Sequence, residues 1–379
     1  MNYLVFGHAG FNHNKLLNIL PDKEEIIFIR RMDEKGAIDE NTRFLSLSEL
    51  ASLDSQKYTA IVSSPYGLQH VLAFQPLRTI ACIPQRSELE DTTLWDKYIG
   101  LLASYSDMII TESERTYLEQ TLQWERVFLL RDSEELVRSA IISMLKGELL
   151  EQWVTKQWEE RKRFYQSLHE QQGPHETICY LLASYLYFLG DVSAKMYLGI
   201  SFEQMIKKEY SQCLNTHFRF FSAIEVKAGS LEKAVRTYEI TAITDEERKS
   251  MENIRNWQEQ GEWRLIQAEI FRANDDYRSA IKVLEDMGAK NSLQAATMRL
   301  QYYLHTYRWK DALALFDNYG LSDENRVTAE VIRGNIQLIH NKHHLAIRTF
   351  LRASVEDWNV LTNLNEIVSL EQAVRGEFQ

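Results

Sequence analysis

Leu231-Glu-Lys-Ala-Val-Arg-Thr-Tyr238, Tyr277-Arg-Ser-Ala-Ile-Lys-Val-Leu284, Trp309-Lys-Asp-Ala-Leu-Ala-Leu-Phe316 and His344-Leu-Ala-Ile-Arg-Thr-Phe350 are versions of one phrase. In each, an alanine (Ala234, Ala280, Ala312, Ala346) is followed by large apolar residues at helical spacing. A small residue at that point lets one helix approach another closely, while the larger ones fill the space to the next layer. A polar turn precedes each phrase: Gly229-Ser230, Asn274-Asp275-Asp276, Tyr307-Arg308 and Asn341-Lys342. The unit is therefore a pair of helices joined by a short turn. Ala280 to Ala312 spans 32 residues and Ala312 to Ala346 spans 34, whereas Ala234 to Ala280 spans 46, which predicts an insertion around Thr244 to Asn256.

This spacing resembles tetratricopeptide repeats, whose period is about 34 residues. An earlier pair, Ile178 to Leu189 and Val192 to Met205 around Gly190-Asp191, is expected to begin the array, and Val355 to Val374 to cap it. About five repeats result, in which each pair touches only its neighbours and the first helices line a concave face. Those helices carry Phe218, Trp263, Arg264, Arg299, Tyr302 and Arg333, aromatic and arginine residues suited to a protein or peptide surface. About half of the aromatic residues along these helices are expected in the core instead.

Working outward toward the amino terminus, the chain alternates short apolar runs with helical stretches. The runs are Asn2 to Phe6, Glu25 to Arg30, Tyr58 to Ser64, Arg78 to Ile83, Met108 to Thr111 and Arg126 to Leu130. Helices are expected over Ser46 to Leu53, Tyr66 to Phe74, Trp95 to Tyr105, Ser113 to Leu122 and Glu134 to Lys146. Continuous apolar strands of this kind suit a parallel sheet covered on both faces, here of five or six strands. The fold class is thus α/β plus all-α, a Rossmann-like sheet domain followed by a solenoid. Ligands of such sheets bind beyond the carboxyl ends of the strands, which places Gly7, His8, Gly10, Tyr66 and Gly67 near one cleft. The spacing Gly7-x-x-Gly10 is not the dinucleotide fingerprint, and no acidic residue closes the second strand as a nicotinamide or flavin site requires. No cofactor is expected.

The segment from Trp95 through Ser106-Asp107-Met-Ile109-Ile110-Thr111-Glu-Ser113, followed by Arg126-Val-Phe-Leu-Leu130, resembles the end of the amino-terminal, acceptor-side domain of GT-B glycosyltransferases of the family 4 type. The resemblance covers about the first 145 residues. In that family the nucleotide sugar is held chiefly by a second Rossmann domain. After Arg131-Asp132-Ser133 this chain instead enters a charged helix and then the repeats. The resemblance therefore implies a transferase half without its donor half: an interaction scaffold or accessory protein with a degenerate glycosyltransferase-like domain. The alternative is an active glycosyltransferase completed by another chain. The expected domains are 1–147 (Rossmann-like), 148–173 (linker helix, stopped by Gly173-Pro174) and 174–379 (repeats).

A length of 379 residues favours two cores over one. The formal charge of −11 disfavours nucleic acid and anionic lipid as partners. Cys82, Cys179 and Cys213 lack CxxC spacing, so neither a disulfide framework nor a zinc site is indicated. The first six residues are too short and uncharged for a signal peptide, and no apolar run approaches the roughly 18 needed to cross a bilayer, so a cytoplasmic protein is expected. His8 and His13 flank the first loop without a carboxylate or serine tied to them, and they read as loop histidines bonded to backbone or water. Glu88, Glu90 and Asp91 read as a solvated acidic loop. His340, His343 and His344 are close enough for zinc, but they fall on a turn between repeat helices, and no metal is expected there. No catalytic residue is assigned.

Overall fold

The computed structural model describes residues 1–6, 13–30, 43–63, 65–83, 92–131, 134–208, 214–287, 293–319, 326–340, 342–355, 357 and 360. The chain forms two compact units: one of 1–117, 126–149 and 296–379, the other of 118–125 and 150–295. These units cut across the division at 147 and 173.

The first unit is built on a parallel sheet of seven strands: β1 (Asn2–Phe6), β2 (Glu25–Arg30), β3 (Arg43–Ser46), β4 (Tyr58–Val62), β5 (Arg78–Ile83), β6 (Met108–Thr111) and β7 (Val127–Leu129). Their order is β3-β2-β1-β4-β5-β6-β7, the Rossmann-like arrangement in which the chain starts in the middle and winds outward to both edges. In register, Val5 lies between Phe28 and Ile61, and Ile61 lies opposite Ile80. All five residues of β4 are buried, as the unbroken apolar runs require of a sheet covered on both sides. The helices between the strands are α1 (His13–Ile19), α2 (Leu47–Leu50), α3 (Pro65–Phe74), α4 (Thr92–Ser104), α5 (Glu114–Thr121) and α6 (Glu134–Leu145), with α5 divided between the units after Tyr117. The sheet has one strand more than its sequence pattern suggests. Arg-Phe-Leu-Ser of β3 is too short to show a period and is defined by its pairing along β2. The expected helix over Ser46 to Leu53 shrinks to the single turn of α2 as a result.

The second unit contains α7 (Glu151–Gln172), α8 (Glu176–Phe188), α9 (Ala194–Lys207), α10 (Leu214–Lys227), α11 (Leu231–Glu239), α12 (Asp245–Gln260), α13 (Trp263–Ala273) and α14 (Tyr277–Glu285). Then follow α15 (Leu293–His305), most of which belongs to the first unit, and α16 (Trp309–Tyr319), α17 (Arg326–Ile339) and α18 (His343–Ala353), which belong to it entirely. Neighbouring helices pack as pairs, α8 on α9, α10 on α11, α13 on α14 and α17 on α18, the TPR-like arrangement read from the repeated phrase. Ala234, Ala280, Ala312 and Ala346 are all fully buried, which is the close approach their size predicts. The expected cap at Val355 to Val374 lies largely outside the described residues.

The turns within pairs share one geometry. After α8, Gly190 N–H donates to Tyr187 O and Asp191 N–H to Leu186 O; after α10, Gly229 N–H donates to Val226 O and Ser230 N–H to Glu225 O. This double bond pattern closes a helix through a left-handed residue, and glycine enters that conformation without a Cβ penalty. Gly190 and Gly229 have φ of 73° and 74°. The same bonds recur with Asp275 (φ 57°) and Tyr307 (φ 56°) in the glycine position. A tyrosine there is strained by about 1 kcal/mol or more. Its ring is held against Gly100 of α4, where an added Cβ would collide with Tyr307 Cδ2.

The insertion predicted near Thr244 is the whole of α12. Thr244 and Glu247 form a capping box at its start, and Gly261, with φ 73°, ends it. Buried polar groups on α12 are satisfied in a chain: Tyr238 OH donates to Ser250 Oγ (3.1 Å), Ser250 Oγ to Glu269 Oε1 (2.5 Å), and Arg272 Nη2 to the same Glu269 oxygen (2.8 Å). The helical unit is wound more tightly than a linear array. Tyr187 of α8 donates its hydroxyl to Asp276 Oδ2 (2.5 Å), reaching two pairs ahead, and Arg278 lies over the rings of Trp158 and Phe188.

Candidate functional site

Strand order reverses direction between β1 and β4, which lie side by side although β2 and β3 follow β1 in the chain. Loops leaving two such strands run to opposite sides of the sheet, and the crevice between them is where ligands of this architecture sit. β1 ends at Phe6 and β4 at Val62, and Ser63 N–H binds Phe6 O (3.1 Å), tying the two carboxyl ends together. Tyr66 and Gly67 lie in the first turn of α3, which begins on Pro65, and Gly67 is buried. Gly7, His8 and Gly10 lie outside the described residues, as do Glu88, Glu90 and Asp91. His13 opens α1.

The residues that carry the glycosyltransferase resemblance have local structural work. Asp107 sits at the opposite, amino-terminal end of β6; its Oδ2 accepts from Thr79 N–H (2.8 Å), its own N–H donates to Thr79 O (2.8 Å), and Arg78 is 3.8 Å away. Ser106 Oγ donates to Leu102 O (2.6 Å) near the end of α4. Thr111 Oγ1 accepts from Ser113 N–H (3.3 Å), and Ser113 Oγ from Thr116 N–H (3.4 Å) at the start of α5. An aspartate before an apolar strand and a serine before a helix are what β5, β6 and α5 need for their own ends.

On the helical unit, Trp263 is the first residue of α13 and is 47% exposed. Arg264 beside it donates from Nη1 to Asp286 O (2.5 Å), which joins the start of α13 to the end of α14. Phe218 is half-buried, its ring edge-on to Phe202 at 5.3 Å. Its neighbour His217 is buried, with Nε2 3.1 Å from Ser201 Oγ. Arg219 is paired with Glu247. Burial pushes the Glu247 carboxyl up, but hydrogen bonds from Thr244, Ile243 and Arg219 outweigh it and hold the group below its ordinary value. In the first unit, Arg299 donates to Tyr303 OH (3.0 Å), and Arg333 donates to Glu330 (2.8 Å) and lies 3.6 Å from Asp317. Tyr302 is only 2% exposed, so its ring serves the core.

No family model and no curated protein matches the sequence. Among solved structures, the chain is similar to the TPR2AB domain of yeast Sti1 in its complex with pHSP90, at 17% identity, over 59% of this chain and 93% of that one, with a TM-score of 0.24. The repeat architecture rests on the helix pairs and buried alanines described above.

Among the described residues, no cluster of histidine, cysteine and carboxylate groups could hold a metal ion. His340 stands edge-on to Tyr105 (6.0 Å), and burial, with Lys310 and Lys342 nearby, pushes its pKa down; His344 is exposed, and His343 begins α18. Cys82 and Cys179 are buried thiols whose pKa burial raises, the opposite of an activated nucleophile. Cys213 lies outside the described residues. The sequence pattern did not single out Lys227, the last residue of α10. Its Nζ lies 3.6 Å from the centre of the Tyr187 ring and donates to Tyr187 O (3.2 Å). A lysine ending a helix is an ordinary feature, and only the three-dimensional meeting of α8, α10 and α14 distinguishes this one.

Proposed function

We propose that the helical repeats bind a protein or peptide partner and that the sheet domain serves this binding, so that the chain acts as an interaction scaffold. Trp263 is the observation that carries the reading. A tryptophan left half exposed at the start of a helix, next to an arginine whose guanidinium is already bonded to Asp286 O, has the composition of an interface anchor. The formal charge of −11 favours a partner that is apolar or basic where it meets this surface. The test is selection of binding peptides from a random library on the full chain, followed by affinity measurement on Trp263→Ala. Selected peptides should lose about tenfold or more in affinity, since an anchoring tryptophan contributes at least about 1.4 kcal/mol. A failure to enrich any peptide, or affinities indifferent to Trp263, would reject the reading.

A second reading is favoured by the reversal of strand order between β1 and β4. In it, Gly7, His8, Gly10, Tyr66 and Gly67 form a small-molecule site, and the GT-B resemblance makes a nucleotide sugar the ligand to try. Calorimetric titration with nucleoside-diphosphate sugars, with and without a divalent cation, tests it. Micromolar binding abolished by His8→Ala supports a transferase, alone or completed by another chain, and silence across the panel rejects it.

A further inference from the structure

The flank of α18 departs from the other second helices of the repeats. The residue after each repeat alanine is Val235, Ile281, Leu313 or Ile347. Val235 and Ile281 are 6% and 3% exposed and Leu313 is half-buried, but Ile347 is 47% exposed. Four residues further on, the other three helices carry an exposed acid, Glu239, Glu285 and Asp317, whereas α18 carries Leu351, 54% exposed. Val355, four residues beyond and just past the end of the helix, is 86% exposed. Residues four apart share one side of a helix, so these three form an apolar row facing solvent, with the exposed Arg348 and Arg352 in the row beside it.

We propose that this row is a docking surface for an acidic amphipathic helix, and that its occupant is the chain's own residues 361–374, which lie outside the described ones. The core face of α18, Ala346, Phe350 and Ala353, packs with Val327, Val331 and Leu338, and Val360 is buried in the same cluster. The chain has therefore turned back onto α18 by Val360, whose N–H binds Asp357 O (3.2 Å) and which is itself helical. Residues 361–374 start beside the helix they are proposed to cover.

Pattern, length and charge all select this occupant. Leu364, Ile367, Val368 and Val374 recur at helical spacing, and Glu371 falls within their stripe. A carboxylate in the middle of an apolar stripe is costly to bury alone, and Arg348 and Arg352 beside the row on α18 supply its counter-charge. As a helix the segment spans about 20 Å, against about 12 Å from Ile347 to Val355, so one helix covers the whole row. Direct linkage through Val360 holds it at an effective concentration in the millimolar range, which a separate molecule rarely reaches. A second copy related by a two-fold axis would instead set the row of Arg348 and Arg352 against itself, a like-charge contact.

The row is far in sequence from Trp263, and the proposal stands apart from partner binding there. Hydrogen exchange of the full chain, read by mass spectrometry, tests it. In the wild type the amides of 364–374 should exchange on the order of tenfold or more slower than in a free peptide of that sequence. Leu351→Glu, which gives α18 the acid that Glu239, Glu285 and Asp317 supply at the same position, should abolish this protection and leave that of α17 unchanged. Arg348→Glu should reduce it by repelling Glu371. Free-peptide rates in the wild type overturn the proposal, as does protection that both variants leave intact. Protection lost when the wild type is diluted assigns the row to a second copy and overturns the choice of the chain's own segment.

Discussion

Tyr187→Phe should destabilise the helical unit by about 2 to 3 kcal/mol. Tyr187 is 2% exposed, Asp276 is fully buried, and the 2.5 Å bond between them joins residues 89 apart in the chain. Hydrogen bonds to charged groups contribute about 1.5 to 3 kcal/mol net, and the phenylalanine leaves a carboxylate oxygen buried without that donor. Asp276→Ala removes the same bond and also the α14 cap, in which Oδ1 accepts from Ser279 N–H at 3.0 Å, adding about 1 kcal/mol. Because both single variants lose the one bond, the double variant should fall short of their sum by about 1.5 to 3 kcal/mol. Urea unfolding of the full chain, followed by circular dichroism with the slope checked for constancy, measures all three. A Tyr187→Phe effect within about 0.5 kcal/mol, or strictly additive variants, would show that this bond does not hold α8 to α14 and would refute the tightly wound reading of the unit.

Gly334→Ala places a Cβ within 2.5 to 2.9 Å of three Phe350 ring atoms, so overpacking of about 1 to 3 kcal/mol should exceed the helix-propensity gain of about 1 kcal/mol, lowering the thermal midpoint. Gly100→Ala should likewise destabilise the first unit by driving into Tyr307, and Tyr307→Gly in the same chain should recover part of the loss by removing both the clash and the left-handed strain; a double variant no better than Gly100→Ala would count against the packing account. For Lys227, the folded pKa of about 8 lies below the ordinary lysine value, so between about pH 8 and 10 the unfolded chain binds more protons and this group's contribution to stability rises with pH. Buried thiols and tyrosines with raised pKa, including Cys82 and Tyr187, act in the opposite sense at alkaline pH. The quantity to measure is therefore wild type minus Lys227→Met, whose stability difference should grow over that window; a difference flat with pH would remove the tucked amine from the account.

Much of the fold was legible in the residues themselves, because its signals are local. The alanine phrase and its period depend on helical spacing and one small side chain, and all four alanines are buried where that logic needs them. Six apolar runs announced six strands, since a strand buried on both faces has no polar alternative. Where the signal was shorter than a period, as in Arg43–Ser46, nothing local distinguished strand from loop, and pairing with β2 decides it.

The candidate sites divide the same way. Sequence pointed to the loop after β1, whose residues lie outside the described ones, and to Trp263, because glycine spacing and helix starts are written in neighbouring residues. Tertiary structure alone gave Asp107 its place at the amino-terminal end of β6, put Tyr302 in the core, and brought Tyr187, Lys227 and Asp276 together from three helices. Periodicity reports which face of an element is apolar. It carries no record of which distant groups will lie beside an amine, and it is that meeting, chiefly through burial, that lowers the Lys227 pKa.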